Sequence, residues 1–533
     1  MLKVTNIRVP VGEPADRLAD FCARVLKVPP TAIQNFRILR KSLDIRNKGR
    51  LEHVYTAAVD VPDEPRALQK AAGRAIPYQP ALFEPPNPGP ELLEHPPIIV
   101  GAGPAGLLAA HQLAQMGYCP IVIERGRSVR ERSRDVRIFD RGGSFDEKSN
   151  YLFGEGGAGT FSDGKLTCRN TGPDTDRVLE ILADAKGKPS ILYEAKPHLG
   201  SNRLPAVVKA LRQQIIEMGG TIHFDCRLEK LLVESGQVVG LETSTGYFPT
   251  RVVVLGIGHS ARDTIAMLNE IGVPIEFKPF QMGVRIEQAQ QRVTQVQYGK
   301  SWQAQLLGPA DYTMNVKAGT QEVFSFCMCA GGYVMPSVSQ EGYFCTNGMS
   351  RSFHESPFAN SGIVVTVDAA NVADSGFGHD PLAGIRYQAA IEKKAFELAG
   401  GDYHSPIQWA RDFIDAKPTR DQPPSSYPRG TKPMNLADFL PGPIAKLLAD
   451  GLLLMDRQWS GEFLEGATLV GPEARGSCPV RFPRDPVRRE SIGIGGLYPI
   501  GEGAGYAGGI VSAAVDGLRS AKAVIARYKP FHR

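Results

Sequence analysis

A glycine-rich turn near residue 100 constrains the fold more than any other feature of this sequence. A short apolar run, Ile98–Val100, leads directly into it, and a helical pattern at Leu107–Met116 follows. In a strand-turn-helix unit of this spacing, the first glycine permits the tight turn, the second lets the backbone approach a pyrophosphate, and the third allows the helix to pack closely on the strand. The helix N-terminus adds unpaired N–H groups and a partial positive charge. The turn therefore predicts a dinucleotide-phosphate site made of Gly101, Gly103, Pro104, Ala105 and Gly106.

An acidic residue completes the motif. A second apolar strand at residues 120–123 ends in Glu124, 18 residues after Gly106. That distance is close to the roughly 20 residues expected for the acid that holds the ribose hydroxyls. A carboxylate repels a ribose 2′-phosphate, so the site prefers FAD or NAD over NADP. A glycine-rich turn can exist without a ligand, but strand, turn, helix, strand and acid in this order indicate a nucleotide site.

The choice between FAD and NAD depends first on residues 221–259. They predict a third parallel strand and a three-stranded meander, which ends in Gly256-Ile257-Gly258-His259. This layout resembles the crossover of glutathione-reductase-type FAD domains, in which the last strand closes over the dinucleotide. The resemblance implies cofactor contacts from Arg227, Leu228, Gly256 and Gly258.

The C-terminal segment favours FAD more strongly. The run Leu497–Gly503 resembles the second flavin motif of those domains, in which an acid after a glycine binds the ribityl chain. Glu502 stands where aspartate is common, and it still supplies two acceptor oxygens. The next helix would point its N-terminus at the flavin pyrimidine edge and stabilise the negative charge of reduced flavin. FAD is therefore the predicted cofactor, with contacts here from Gly501, Glu502, Gly508, Gly509 and Ile510.

Longer segments resemble one family. From residue 98 to its end the chain is similar to the uncharacterised FAD-dependent dehydrogenases or oxidoreductases, whose FAD domain is similar to those of aromatic-ring hydroxylases and geranylgeranyl reductases. The N-terminal unit also resembles the small leading domain of this group. The sequence departs from the group's pattern at Cys168 and around Gly471–Arg481. The resemblance to this family rests on four segments: Phe153–Leu166, Gly258–Thr264, Asn347–Ser350 and Gly501–Ile510.

A second glycine-rich loop lies at Gly154–Gly164. Four glycines in six residues permit close backbone approach, and the N–H groups could bind flavin or phosphate oxygens. The alternative is a loop whose glycines serve packing only. Seven arginines follow Glu124, and we expect one or two of them to reach the cofactor while the others form a solvated helix face. The expected cofactor contacts from this region are Arg125, Arg132, Gly156, Gly157, Ala158, Gly159 and Thr160.

Three residues are candidates for catalysis, because the flavin carries out the redox step and the protein positions the substrate. His259 follows the strand that ends at Leu255 and could donate or accept a proton, or only pack against the flavin. Lys165 could stabilise reduced flavin or bind an acidic substrate, and Arg475 could line the pocket. Cys327 and Cys329 could form a redox dithiol, although ordinary strand cysteines are the expectation for this spacing, since the disulfide ring would be small and strained.

These patterns predict an α/β fold: a split Rossmann-like FAD domain of the glutathione-reductase type, with an inserted α+β substrate domain and a small N-terminal α/β domain. The insert is indicated by short strand-like runs between the two flavin motifs, and a proline-rich tether by eight prolines in residues 74–97. The expected boundaries are 1–73 for the N-terminal domain, 74–97 for the linker, 98–264 and 481–533 for the FAD domain, and 265–480 for the insert.

Composition excludes several other classes. The eight cysteines show no zinc spacing, so neither a metal site nor a disulfide framework is expected. No window is apolar enough for a membrane helix and no secretory signal is visible, so a cytoplasmic location is expected. Residues 1–60 hold eleven Lys/Arg and six Asp/Glu, which accounts for the whole net charge of +5. A basic lobe of this kind can bind nucleic acid, but few aromatic residues accompany it, so an ordinary solvated surface is expected.

The predicted function is that of an FAD-dependent oxidoreductase, a dehydrogenase or reductase that transfers hydride on a small, possibly hydrophobic substrate. The alternatives are a flavin monooxygenase that uses NAD(P)H and oxygen, and an RNA-associated flavoprotein with residues 1–60 as the binding lobe. Gly493-Ile494-Gly495-Gly496 does not follow a strand-turn-helix plan, so the chain predicts no separate NAD(P)H domain. NAD(P)H, or another electron donor or acceptor, would therefore visit the flavin transiently.

Overall fold

The computed structural model describes residues 1–530, and its first unit is a four-stranded antiparallel sheet in the order β2-β3-β1-β4. Buried apolar residues alternate along the first strand, and two helices cover that face of the sheet. Leu2, Val4 and Ile7 pack there against Cys22 and Leu26. The elements are β1 (Leu2–Pro10), α1 (Leu18–Leu26), β2 (Gln34–Asp44), β3 (Glu52–Asp60), α2 (Glu64–Ala71) and β4 (Ala75–Pro77).

Two features of this unit differ from the sequence-based expectation. Strand β2 was not predicted, because it is a half-exposed strand whose basic side chains mask the alternation. The start of the proline-rich segment is not a free tether, since β4 pairs with β1 and, further along, the Gly89 N–H donates to the carbonyl of Ile525. The segment therefore joins the N-terminal sheet to the C-terminal helix.

Part of the basic charge of this unit is paired within it. Arg8 lies 3.1 Å from Asp44 and 2.8 Å from Glu52, and Arg46 and Arg50 contact the same two carboxylates. The unit also docks on the rest of the chain, because Lys48 Nζ donates to the carbonyl of Val296 at 2.6 Å. The excess of five positive charges in residues 1–60 remains on the unit.

A five-stranded parallel sheet in the order β23-β11-β5-β6-β7 forms the second unit. Its strands are only three residues long; β5, β11 and β23 are buried on both faces, as their continuous apolar runs require, whereas the edge strand β7 is largely exposed. The elements of its first part are β5 (Ile98–Val100), α3 (Pro104–Gln115), β6 (Ile121–Ile123), α4 (Val129–Asp140), α5 (Pro173–Asp184), α6 (Leu204–Glu217), β7 (Thr221–His223), β8 (Leu228–Glu234), β9 (Gln237–Thr243), β10 (Gly246–Pro249), β11 (Val253–Leu255) and α7 (Arg262–Glu270).

The two faces of this sheet carry different layers. Ile99 and Val254 point toward the helical layer, whereas Ile98 and Val253 point toward the meander and α7. Ile265 of α7 packs in this second layer. The boundary expected at residues 264 and 265 therefore falls inside a helix that packs on the parallel sheet.

The inserted segment builds a seven-stranded sheet in the order β14-β15-β18-β13-β21-β19-β20. All pairs are antiparallel except β19 with β20. The elements are β12 (Glu276–Phe277), β13 (Phe280–Ala289), α8 (Gln290–Tyr298), α9 (Trp302–Gln305), β14 (Asn315–Ala318), β15 (Gln321–Cys329), β16 (Gly332–Pro336), β17 (Thr346–Ser350), β18 (Phe358–Val367), α10 (Ala369–Asp374), α11 (Ala383–Leu398), β19 (Ser405–Trp409), α12 (Ala410–Ile414), β20 (Thr431–Pro433), α13 (Gly442–Gln458), β21 (Thr468–Glu473) and β22 (Val480–Arg481).

The chain then returns to the parallel sheet with β23 (Leu497–Pro499) and α14 (Ile510–Arg527). Strand β23 pairs in parallel with β11, so residues far apart in sequence complete one sheet. The prediction of an α/β fold with a split Rossmann-like domain and an insert is confirmed. Within residues 1–530, no helix combines the length and the apolar character that crossing a membrane requires.

Close packing of α14 on α3 depends on one glycine. A Cβ atom on Gly517 would overlap the carbonyl oxygen of Ala105 in the first turn of α3. We therefore expect Gly517→Ala to destabilise the protein by about 1–3 kcal/mol, the usual cost of overpacking. Gly442→Ala is the control, because Gly442 begins α13 in open space, and an alanine there adds up to about 1 kcal/mol by restricting the unfolded chain. Urea unfolding of both variants measures the difference; equal midpoints would contradict the packing role.

Candidate functional site

A cavity of about 1040 Å³ lies where the carboxyl ends of the parallel strands face the inserted sheet. This volume is at the upper end of the roughly 300–1,000 Å³ usual for ligand sites. One end is formed by the glycine-rich turn and Glu124, and the other end by Lys278, Gln281, Phe326, Cys327 and Asn347 of the insert. Open α/β sheets bind ligands at this edge.

The turn before α3 assigns a different task to each glycine. Gly101 has φ of +100°, which only glycine adopts readily, and its N–H donates to the carbonyl of Ile123 at 2.8 Å. A Cβ on Gly106 would overlap the Gly101 carbonyl oxygen, so Gly106 permits close packing and lies behind the cavity. A Cβ on Gly103 would meet only Gly157 Cα at 4.0 Å. Gly103 therefore borders open cavity, as do Pro104 and Ala105.

The carboxylate of Glu124 joins three segments of backbone. It is buried and accepts from the N–H groups of Ala102 at 2.8 Å, Gly126 at 3.0 Å and Gly154 at 3.0 Å. A carboxylate offers about four acceptor positions, so one stays open toward the cavity. Glu124 thus fixes the turn relative to the glycine-rich loop, in addition to the ribose contact that we expect of it.

The glycine-rich loop divides into a cavity side and a supporting side. Gly157, Ala158 and Gly159 line the cavity. Gly156 donates its N–H to the Ala102 carbonyl at 2.7 Å, and Thr160 Oγ1 donates to the Glu155 carbonyl at 2.9 Å. These last two residues brace the loop from behind and are not brought to the cavity.

The arginines after Glu124 are placed differently from one another. Arg125 lines the cavity, stacks over Phe153 and contacts Asp263 at 2.9 Å. Arg132, a predicted cofactor contact, does not line the cavity. It is fully buried and donates to the carbonyls of Asn150, Gly154 and Glu155. Burial lowers the pKa of Arg132 to about 10. Its side chain therefore holds the loop from inside.

The cofactor contacts predicted near the meander fall into two groups. Leu228, Gly256 and Gly258 line the cavity, whereas Arg227 lies outside it and pairs with Glu229 at 3.0 Å near solvent.

The C-terminal motif supplies the far wall of the cavity. Gly501, Glu502, Gly508, Gly509 and Ile510 all line it, and α14 begins at Ile510. Glu502 accepts from the Cys478 N–H at 2.8 Å, and burial raises the pKa of its carboxyl to about 7. A buried carboxyl of this kind can accept or donate toward a hydroxylated chain.

Sequence reasoning missed one polar group beside this motif. Asp516 accepts from the Gly501 N–H at 2.8 Å and from Arg484 at 2.7 Å, and it also pairs with Arg489. All three side chains line the cavity. The available signal was a single acid in the otherwise apolar face of the last helix.

His259 and Arg475 both reach the cavity, and they do so as parts of a buried cluster. Glu392 lies between Arg475 at 2.7 Å and Arg262 at 2.8 Å, so two guanidinium groups share one carboxylate. Burial opposes ionisation, yet the two arginines lower the pKa of Glu392 to about 2. Burial and the same arginines lower the pKa of His259 to about 4, so the imidazole is neutral near pH 7. The cluster places excess positive charge beside the cavity.

Lys165 does not line the cavity. Its ammonium lies 3.1 Å from Asp163 Oδ2, and Asp163 also accepts from Ser350. The Lys165 ammonium lies instead near Cys327 and Cys329, and negative charge on this cysteine pair and on Asp163 keeps its pKa raised despite burial.

These residues fit FAD. Gly258 and Gly509 have open space where a Cβ would stand, so backbone faces the cavity there. The N-termini of α3 and α14 both open on the same cavity, and both would offer partial positive charge to the anionic groups of the cofactor. Within the described residues, no group of His, Cys, Asp and Glu side chains is arranged to hold a metal ion.

Comparison with known proteins identifies the class. Residues 279–476 match the model of a family described as FAD-dependent protein, C-terminal domain-like, and residues 99–158 match the NAD(P)-binding Rossmann-like domain. Residues 1–60 match a domain of unknown function. The protein is thus an FAD-dependent oxidoreductase. A protein of Clostridium beijerinckii described as uncharacterized is 36% identical over 532 residues, which is 99% of both chains. The chain belongs to the family of uncharacterised FAD-dependent oxidoreductases that this relative represents.

Solved structures give weaker likenesses. Glycine oxidase from Bacillus cereus ATCC 14579 is 13% identical with a TM-score of 0.32, over 81% of this chain and 95% of that one. NikD, an unusual amino acid oxidase, is 12% identical with a TM-score of 0.35, over 82% of this chain and 94% of that one. CtdE in complex with FAD is 11% identical with a TM-score of 0.34, over 79% and 81%. At these TM-scores the likeness says nothing about the substrate.

We expect Gly103→Val to abolish FAD binding without unfolding the chain. The valine side chain would occupy the space that the pyrophosphate needs, while the protein itself leaves that space open. Flavin absorbance per protein after purification measures occupancy, and circular dichroism checks the fold. A folded variant that keeps full flavin content would remove the turn from the site.

The position of α14 predicts an effect on flavin potential. Gly508→Asp adds a carboxylate beside the helix N-terminus, and Gly508→Asn is the neutral control of equal size. At an effective dielectric constant of about 20 and a distance of roughly 8–16 Å, a unit charge contributes about 1–2 kcal/mol, which for a two-electron couple is about 20–45 mV. The midpoint potential of the aspartate variant should be lower than that of the asparagine variant by this amount.

The same comparison has an expected pH dependence. A Cβ on Gly508 would lie 3.1 Å from Glu502 Oε2, and burial already raises the pKa of Glu502 to about 7. Near pH 7 the new carboxylate therefore makes Glu502 take up a proton, which partly cancels the new charge. Near pH 9 both carboxyls are ionised and the difference should be largest. Equal potentials for the two variants at pH 9 would show that α14 does not end at the flavin.

Proposed function

We propose that this protein is a dehydrogenase or reductase that transfers hydride between its FAD and a small polar substrate held against the inserted sheet. The observation that carries this proposal is the single cavity that continues from the dinucleotide turn to the wall of β13, β15 and β17. The flavin provides the hydride acceptor or donor. The protein binds the substrate at the wall, orients it and excludes water.

The chemistry of this wall favours a polar substrate. Lys278, Gln281, Asn347 and Cys327 present polar groups to the cavity, and Phe326 adds an aromatic ring. A site lined in this way leaves its polar groups unpaired when an apolar molecule enters, which is costly. The wall therefore favours a polar substrate over the hydrophobic one that the sequence allowed.

The charge of the buried cluster narrows the substrate further. Arg262 and Arg475 together exceed Glu392 by one positive charge, and Arg475 faces the cavity. Because His259 is neutral near pH 7, it adds no charge but can still exchange a proton. We infer that the substrate carries a carboxylate or a similar anionic group beside Arg475.

The electron partner acts by visiting the site. The described residues contain one parallel five-stranded sheet, and that sheet carries the FAD turn. NAD(P)H, a quinone or another carrier would approach the flavin through the open side of the same cavity. Three arginines of the N-terminal unit, Arg8, Arg46 and Arg50, are held by Asp44 and Glu52, which argues against their use in RNA binding.

The experiment is anaerobic mixing of the flavin-loaded protein with panels of small hydroxy acids, amino acids and their neutral amides. We expect bleaching of the flavin by acids and weaker bleaching by the matching amides. Arg475→Gln should raise KM for the acid about 10–100-fold, the cost of losing a hydrogen bond to a charged group. Arg262→Gln removes the same charge from the cluster without touching the cavity, so its effect on KM should be smaller.

Other results would contradict the proposed substrate or the proposed reaction. If amides and acids react alike, or if both arginine variants raise KM equally, the anionic-substrate proposal fails. If reduction requires NAD(P)H and the reduced protein forms a transient absorbing species with oxygen, the protein is a monooxygenase.

A further inference from the structure

Strand β15 ends in an irregularity that faces the cavity. Phe326 pairs with Gly362 and Cys329 with Asn360, so two residues of β15 stand opposite one residue of β18. Cys327 lies in this bulge with φ of +48°, a left-handed conformation that is rare for a side chain other than Asn or Asp. Bulges beside active sites re-aim a side chain. The bulge brings Cys327 to the cavity wall.

The second cysteine of the pair lies directly behind the first. Cys329 is fully buried, and its Sγ donates to the Cys327 carbonyl at 3.3 Å. Cys329 lies two residues from Cys327, at the end of the same bulge, and its side chain has the largest effect on the pKa of Cys327. Access is therefore asymmetric, because one thiol opens on the cavity and the other is enclosed.

Positive charge surrounds the pair. The Lys165 ammonium is enclosed without a well-formed hydrogen bond, and Arg285 Nη1 donates to the Cys327 carbonyl at 3.3 Å. Arg285 is itself paired with Glu473 at 2.8 Å. The charged or titratable groups that act on the two thiols are Asp163, Lys165, Arg285 and, at Cys329, Tyr312. Behind them, His198 lies 3.6 Å from Asp163 and stacks on His354, and Glu473 pairs with Arg285.

This environment distinguishes the two thiols. The neighbouring Cys329 thiol, together with Lys165 and Arg285, lowers the pKa of Cys327 against the effect of burial. Burial raises the pKa of Cys329 well above its usual range. The two shifts favour the thiolate at Cys327 and the protonated thiol at Cys329, which is the division of roles in a reactive dithiol.

We propose that Cys327 and Cys329 form a redox-active pair that exchanges two electrons with the FAD, with Cys327 as the cavity-facing thiolate. The Cys327 thiolate and the Cys329 thiol join in one S–S bond. They pass two electrons and the Cys329 proton to the oxidised flavin, which becomes the anionic reduced form. Run in reverse, the reduced flavin opens the bond. A pair of this kind exchanges with small thiols and disulfides, which would make these the electron partners of the site.

The proposal rests on FAD binding, which the proposed function shares, but not on the nature of the substrate. Reductive titration of the flavin-loaded protein tests it. The wild type should take up two more electrons per FAD than Cys327→Ser or Cys329→Ser, because each disulfide is a two-electron couple. Cys168→Ser is the matched control, since Cys168 also lines the cavity and should titrate like the wild type.

A second measurement needs no variant of the pair and no turnover. Iodoacetamide labelling of the reduced wild type, followed by peptide mass spectrometry, should modify Cys327 far faster than Cys329, with a half-maximal rate below the pH range of an ordinary thiol. Lys165→Met should move that midpoint upward, whereas Lys278→Met, which alters another lysine at the cavity, should not. In oxidised protein both cysteines should resist labelling until a reductant is added.

Equal electron uptake by the wild type and both serine variants would overturn the proposal, as would labelling of Cys327 only above about pH 8, the range of an ordinary thiol. A protein that binds FAD normally but shows either result would leave the proposed function standing while removing the dithiol. Loss of FAD from the wild type as purified would instead remove the proposed function.

Discussion

The buried carboxylate of Glu124 is the interaction on which the nucleotide site depends. It receives N–H groups from the turn before α3, from the segment after β6 and from the glycine-rich loop. A buried carboxylate is stable only where donors surround it, and here the donors are the backbone segments that must stay in register around a dinucleotide. The N–H groups that offset the cost of burying Glu124 are thus the same groups whose positions define the site.

Arg132 and Arg285 extend this principle into the supporting structure. Each is fully buried; Arg132 donates to three carbonyls of the loop at residues 150–155, and Arg285 donates to the carboxylate of Glu473. The first holds the glycine-rich loop from behind, and the second ties β13 to β21 in the inserted sheet. Neither touches the cavity, yet the shape of its two walls follows from them. Each of these buried guanidinium groups makes several hydrogen bonds at once, and these bonds hold a loop or a neighbouring strand in place.

The sequence predicted the fold class, the cofactor and much of the cavity lining because those properties depend on local spacing. Gly101, Gly103, Glu124 and Glu502 lie where a strand-turn-helix rule places them. Arg132 could not be placed by such a rule, since seven arginines near one helix give no indication of which one points inward. The exposure of Cys327 depends on a bulge, and a bulge is set by the register of a neighbouring strand far away in sequence. Strand β2 was missed for a related reason, because its half-exposed faces carry no clean alternation.

The split of the parallel sheet has a consequence for how the protein is made. Strand β23 and the N-terminus of α14 come from the last part of the sequence, yet β23 pairs with β11, and the turn after β23 and the start of α14 line the cavity. On a ribosome, the first part of the sheet and the whole insert emerge before these segments exist. Domains fold as units during synthesis, so the inserted sheet can mature while the nucleotide-binding sheet still has an open edge at β11. FAD can therefore bind only late in synthesis, after β23 has paired with β11.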